Sequence, residues 1–308
     1  MLSSHHVSTP AQCDFSGLWI PLVTPFRGDA IDHEALRALT VRMRRAGVTG
    51  FCACGSTGEA AALSHDEENA VLASILQASG GLPVMMGTAG CHLGRMLERV
   101  RELGQQPLAA LLVPAPTYIR PSQAGLLDWF IRIASASVHP IVIYDIPYRT
   151  GATLELDTLR ALARHPNIMA IKDCGADAAK TQALISDGEL QVLAGEDLQI
   201  FSHMALGGHG TIAASAHGHT EHFVALLELL SAGQLEPARA IWGPLQNHIR
   251  ASFAEPNPAP IKGWLARQGW MSAELRAPMT AASAALVEQI CAIELPALAT
   301  APGSCAAK

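Results

Sequence analysis

Eight short apolar runs, each followed by a longer stretch with helical spacing, recur along most of this chain and leave few ways to fold it. They fall at residues 18–23, 50–54, 84–87, 110–113, 141–145, 168–172, 192–195 and 210–214. Between them, sets such as Leu36, Leu39, Met43 and Ala46, or Leu127, Phe130, Ile131 and Ala134, place one apolar face on a sheet. Each unit is about 30 residues, the size of one β-α step. Runs such as 110–113 and 141–145 are apolar almost throughout, the pattern of strands covered on both faces, so the sheet is expected to be parallel. Eight such steps predict a closed (β/α)8 TIM barrel. The competing doubly wound sheet is weakened because no G-x-G-x-x-G follows the first run.

The barrel is expected over 14–233. After Gly233 the alternation stops, and 235–249, 261–268 and 281–293 read as helices with no strand between them. Residues 234–297 are therefore expected to form a C-terminal helical appendage, with flexible tails at 1–13 and 298–308. A formal charge of −6 and the absence of any Lys/Arg run give no footprint for nucleic acid or an anionic membrane surface, which leaves a small molecule as the expected partner. No stretch reaches the roughly 18 consecutive apolar residues of a spanning helix. The start lacks the basic and apolar regions of a secretory signal, and the seven cysteines are scattered without a C-x-x-C pair, so a reducing, cytoplasmic setting without disulfides is expected.

In such barrels the chemistry sits at the C-terminal ends of the strands, which narrows the candidates to residues ending or following the apolar runs. Lys172, one of four lysines, closes the run Ile168, Met169, Ala170, Ile171. A buried ammonium tends to lose its proton, and a neutral amine in an apolar pocket is the nucleophile that forms a Schiff base with a ketone. Equally open is a rim lysine paired with Asp173 or Glu196. Gly55-Ser-Thr-Gly-Glu59 offers hydroxyls and free amides as a cradle for a carboxylate, or an ordinary helix cap in which Ser56 or Thr57 serves Glu59. Tyr144 is either a proton relay or a core aromatic. Arg149 either grips a carboxylate or sits as a solvated charge. Cys52 and Cys54, two apart on one strand, are expected to face the same side as small core residues. His217, His219 and His222 are dense in ligand atoms, yet no other spacing completes a metal site, so no metal is expected.

Taken together, the segments 21–26 (PLVTPF), 55–59 (GSTGE), 121–123 (PSQ) after Tyr118 and Arg120, 144–147 (YDIP), 149–151 (RTG), 171–173 (IKD), 207–210 (GGHG) and 275–279 (LRAPM) resemble the dihydrodipicolinate synthase and N-acetylneuraminate lyase family over about residues 17–295. These are class I aldolases acting through a pyruvate Schiff base. The resemblance implies that Lys172 forms the imine without metal or organic cofactor and that Tyr144 passes protons. It implies that Ser56 joins Tyr144 to Tyr118 of a neighbouring subunit in a homotetramer, and that Thr57 and nearby amides hold the pyruvate carboxylate. The backbones of Gly195 and Ile212 would line the site, and Arg149 would receive the carboxylate of the aldehyde-derived half.

Within the family, Arg149 and the segment 120–123 follow the synthase branch, which condenses pyruvate with an aldehyde such as aspartate semialdehyde. Ser56-Thr57 instead follows the sugar-acid lyases. Asp145 replaces a common Asn, Thr117 replaces an aromatic, and Tyr148 stands where a small residue is usual. A catabolic aldolase or dehydratase acting on a 2-keto-3-deoxy sugar acid or hydroxy-oxo acid is the alternative, and a non-catalytic keto-acid-binding paralogue is the alternative of another kind. The lysine feedback site of the family corresponds here to Ala60, Glu68, Cys91, Arg95 and Thr117, with His65 retained, so no feedback through it is expected.

Overall fold

The computed structural model describes residues 13–298. Its eight barrel strands are β1 (Gly17–Pro21), β2 (Gly50–Ala53), β3 (Val84–Gly87), β4 (Ala110–Pro114), β5 (Ile141–Asp145), β6 (Ile168–Asp173), β7 (Gln191–Ala194) and β8 (Gly210–Ile212). All pair in parallel with their sequence neighbours, and β8 closes on β1. Every expected strand is present, with ends differing by at most two residues. The helices α1 (His33–Arg45), α2 (His65–Ala78), α3 (Leu93–Leu103), α4 (Gln123–Ala136), α5 (Leu156–Ala163), α6 (Ala178–Asp187), α7 (Ile200–Ala205) and α8 (Thr220–Ser231) follow the strands in turn. On α4 the buried face is Leu126, Trp129, Phe130, Ile133 and Ala134; Leu127 and Ile131, expected to lead it, lie at its edge.

The period of two divides the strand side chains into two layers. Trp19, Cys52, Met85, Leu112, Val142 and Leu193 fill the inside of the barrel. Ile20, Phe51, Met86, Val113, Ile143 and Val192 pack outward against the helices. Trp19 dictates its neighbour: a Cβ on Gly50 would lie 2.5 Å from the indole ring. Below it Phe15 plugs the barrel floor, its carbonyl accepting from Trp19 Nε1 at 2.9 Å and its amide donating to Gln191 Oε1 at 2.7 Å. The expected flexible tails lie outside the described residues except at Cys13 and at Leu298; the Cys13 carbonyl accepts from Gln191 Nε2. With the floor closed, only the opposite rim is left for polar groups.

Three further helices follow, α9 (Leu235–Ser252), α10 (Ala259–Arg267) and α11 (Ala284–Cys291), with α9 against α8 and α10 against α11. No helix among the described residues is long and apolar enough to cross a membrane.

Candidate active site

Lys172 and Tyr144 are direct partners in the β5–β6 register, so both project into the barrel at its C-terminal end. Both are buried, 6% and 7% exposed, and Lys172 Nζ lies 4.5 Å from the Tyr144 ring centroid. Lys172 has no ion-pair partner among the described residues, whereas Lys180 and Lys262 each do. The rim ion pair is thereby set aside: Asp173 instead accepts from the Gly175 amide and the Thr181 hydroxyl. Ser56 Oγ stands 3.4 Å from Tyr144 Oη. Ser56, Tyr144, Thr88, Thr117 and Arg149 share the wall of a cavity of about 290 Å³.

Gly195 is held to glycine by this packing, because a Cβ there would lie 2.3 Å from Cys174 Sγ and 2.9 Å from Lys172 Cγ. Ile212 belongs to the same interior cluster.

The protonation of Lys172 differs from the sequence expectation. Burial is the largest influence and does pull its pKa down, but Tyr144, Cys174, Cys52 and Asp197 together carry it above the usual lysine value. Burial raises Tyr144 well above an ordinary phenol and Cys52 to about 11, so both are neutral at pH 7. Burial also raises Glu196, with Asp197 adding like-charge repulsion. Asp197 is raised by burial although the Ser215 amide and hydroxyl both donate to it.

The 55–59 loop is not a helix cap. Its single 3-10 turn, Ser56–Gly58, has no side-chain cap, and the capping box that opens α2 is Ser64 with Glu67. Two non-glycine residues that bound this turn are left-handed, Cys54 just before the loop at φ 50° and Glu59 at its end at φ 55°. Each such conformation costs about 1–3 kcal/mol and persists only where surroundings impose it. Here the Thr24 hydroxyl donates to Gly58 O, Asn257 Nδ2 donates to Thr57 Oγ1 at 3.0 Å, and Lys262 Nζ donates to Glu59 Oε1 at 2.6 Å. The turn at Cys54 breaks the strand period, so Cys52 faces the interior while Cys54 joins the outer layer, contrary to the expectation that both face one side.

Of the other expected site residues, Arg149 reaches the cavity wall and Tyr118 does not. Tyr118 is 92% exposed at φ 72° and does not meet Tyr144 within this chain. Arg149 sits on the one-turn helix Pro147–Thr150, with its guanidinium 5.7 Å from the exposed Tyr148 ring. Asp145, where the resemblance leads one to expect Asn, is paired with Lys180 Nζ at 2.6 Å. His217 uses both ring nitrogens, one accepting from the Val23 amide and one bonded to Ala214 O, and the described residues contain no group of three or more side chains arranged for a metal. Asn257, Lys180 and Lys262 were not expected near the site; their partners lie 200, 35 and 203 residues away in sequence, so no local spacing signals them.

A closed parallel barrel with a buried lysine beside a tyrosine at its C-terminal rim defines a lyase of the class I aldolase type. The chain belongs to the Dihydrodipicolinate synthetase family, whose model matches residues 14–293. Enzymes of this family work through a lysine–pyruvate Schiff base rather than an external cofactor. Among relatives, the 4-hydroxy-tetrahydrodipicolinate synthase of Haloarcula marismortui is 36% identical over 87% of this chain and 89% of that protein. The 4-hydroxy-tetrahydrodipicolinate synthase 2 of Clostridium acetobutylicum is 35% identical over 89% and 97%. The dihydrodipicolinate synthase structure from Thermotoga maritima superposes with TM-score 0.87 at 28% identity, covering 91% of this chain and 97% of that one. A structure described as the first monomeric dihydrodipicolinate synthase variant gives 0.88 at 27% identity over 91% and 95%.

Proposed function

We propose that this chain condenses pyruvate with aspartate semialdehyde in the manner of its relatives named 4-hydroxy-tetrahydrodipicolinate synthase. The observation that carries this reading is Lys172 beside Tyr144, whose hydroxyl meets Ser56 in a cavity that Arg149 also lines. The Lys172 amine, once it has lost its proton, adds to the pyruvate carbonyl. Tyr144, a neutral phenol, protonates the departing hydroxyl, and water leaves as the imine forms. The Tyr144 phenolate so formed takes a methyl proton to give the enamine, which attacks the aldehyde carbon; the new alkoxide takes that proton through Tyr144 and Ser56, and the amine of the aldehyde then adds to the imine carbon and displaces Lys172. Thr57 and the 55–59 amides hold the keto-acid carboxylate. Gly195 and Ile212 shape the wall through their backbones, and Arg149 takes the carboxylate of the aldehyde.

Tyr118 completes the relay from a second subunit. Its exposure beside Ile119, 54% exposed, is that of a side chain awaiting a partner, which supports a homotetramer of paired dimers. The enzyme is placed in the cytoplasm and needs no metal or organic cofactor.

The test is intact-mass spectrometry after borohydride reduction with pyruvate. One pyruvate adduct mapped to Lys172 is expected, and an unmodified folded protein would discard the Schiff-base reading. Arg149→Ala then discriminates the second substrate. With a dicarboxylic product the KM for the aldehyde rises at least about tenfold while pyruvate half-saturation stays within about twofold. An unchanged aldehyde KM would favour the sugar-acid alternative.

Lysine is expected not to inhibit. Glu68, at a feedback-site position, is already spent on Arg99 at 3.1 Å. Inhibition by lysine at millimolar concentration in a steady-state assay would refute this.

A further inference from the structure

We infer that Lys262 and Glu59 form a latch through which the C-terminal helices hold the keto-acid carboxylate cradle in shape, making Lys262 a positioning residue of the active site. The inference rests on the Schiff-base reading of Lys172 and deepens it.

Lys262, on α10, is 0% exposed, and its ammonium bonds Glu59 Oε1 at 2.6 Å while lying 4.4 Å from the Phe26 ring centroid. The other Glu59 oxygen accepts from the Arg276 amide at 3.2 Å. The Arg276 guanidinium in turn grips Glu67 at the first turn of α2 and the Asp29 carbonyl, and stands 4.6 Å from the opposite element, the Phe26 ring. A lysine buried to this degree is costly unless its partner is fixed. Glu59 is fixed in a backbone conformation it would not choose alone, one residue after the turn that carries Ser56 and Thr57.

The grip is also repeated. Asn257, just before α10, holds Thr57 Oγ1, and Thr24 holds Gly58 O. Three consecutive residues of the cradle are thus each tied from outside the loop, two of them by the segment that includes α10. Without the latch Glu59 is free to leave the left-handed region, and the Thr57 hydroxyl and neighbouring amides shift with it. The nucleophile is untouched, because Lys172 stands on β6 and takes its position from the barrel.

The latch therefore predicts a separation between pyruvate affinity and the capacity to form the imine. In the double variant Glu59→Gln/Lys262→Met both charges go together, so neither is left buried alone. Borohydride trapping over a pyruvate titration is the measurement. The expected result is full adduct at saturation, with the half-saturating pyruvate concentration raised about tenfold. Wild-type saturation behaviour in the folded double variant overturns the latch while leaving Lys172 chemistry intact. Absence of adduct in the wild-type protein would instead sink the Schiff-base reading itself. Lys262→Arg keeps the charge on a wider head and should give a smaller upward shift. If neither variant folds, the pair serves the fold rather than the cradle and the inference fails.

Discussion

Lys172→Met should leave a folded protein that takes up no pyruvate adduct and turns over at least about 10⁴-fold more slowly than the wild-type enzyme. Met retains most of the side-chain volume, and no carboxylate is orphaned, because Lys172 has no ion-pair partner among the described residues. The barrel interior around it, from Cys52 to Leu193, stays filled. An adduct of unchanged mass in this variant would move the nucleophile elsewhere, and the other described lysines, Lys180 and Lys262, are each locked in a buried pair. The charge state adds a second readout. The Lys172 pKa lies above the usual lysine value despite its burial, so the neutral amine gains as pH rises. The initial rate of adduct formation in the wild-type enzyme should therefore climb between pH 7 and pH 9. A flat profile would show that the proton is removed within the site before the amine becomes limiting.

The fold was legible because a parallel barrel writes itself in one repeated signal. Strands covered on both faces are apolar throughout, and eight of them leave little choice. Lys172 stands out for a related reason: a charge that ends such a run leaves two readings, a catalytic amine or a rim ion pair. What local spacing could not show was everything decided by contacts distant in sequence. The tail read as an appendage, yet Asn257 and Lys262 reach back 200 and 203 residues to Thr57 and Glu59.

Period-two logic failed at Cys54 because its left-handed backbone turns the chain out of the strand, and nothing in a Cys announces φ 50°. Burial is the only influence on the Lys172 pKa that the sequence shows, and it is the largest one. The Lys172 neighbours Tyr144, Cys52, Cys174 and Asp197 come from four different strands or their ends. Asp145 looked like an anomaly for the same reason, until Lys180 was seen to answer it.

Acid should unfold this protein early, through two buried histidines. His217 ends the Ser215–His217 turn that follows β8 and His248 packs against that turn; both are buried, and burial depresses each from 6.5 to about 4. His217 accepts from the Val23 amide, and Arg42, bonded to the His217 carbonyl, adds a positive charge nearby. His248 bonds Ser215 O at 2.9 Å and meets His219 edge-on at 4.9 Å between ring centroids, with His222 beyond. The unfolded imidazole binds its proton near 6.5 while the folded one resists until about 4. The stability is thus fully present above pH 6.5 and drains as pH falls toward 4. Each shift corresponds to roughly 3 kcal/mol, a sizeable share of the 5–15 kcal/mol stability of a typical protein, and the raised Glu196 and Asp197 offset part of it. The thermal midpoint should drop by more than about 10 °C between pH 7 and pH 4.5. His248→Gln keeps a donor for Ser215 O but cannot titrate, and should lose distinctly less over the same interval. Equal losses in the two proteins would show that these histidines do not govern acid stability. If the prediction holds, acid reaches the active site before global unfolding, because the Ser215 that His248 anchors is the residue holding Asp197, one of the groups that set the Lys172 charge.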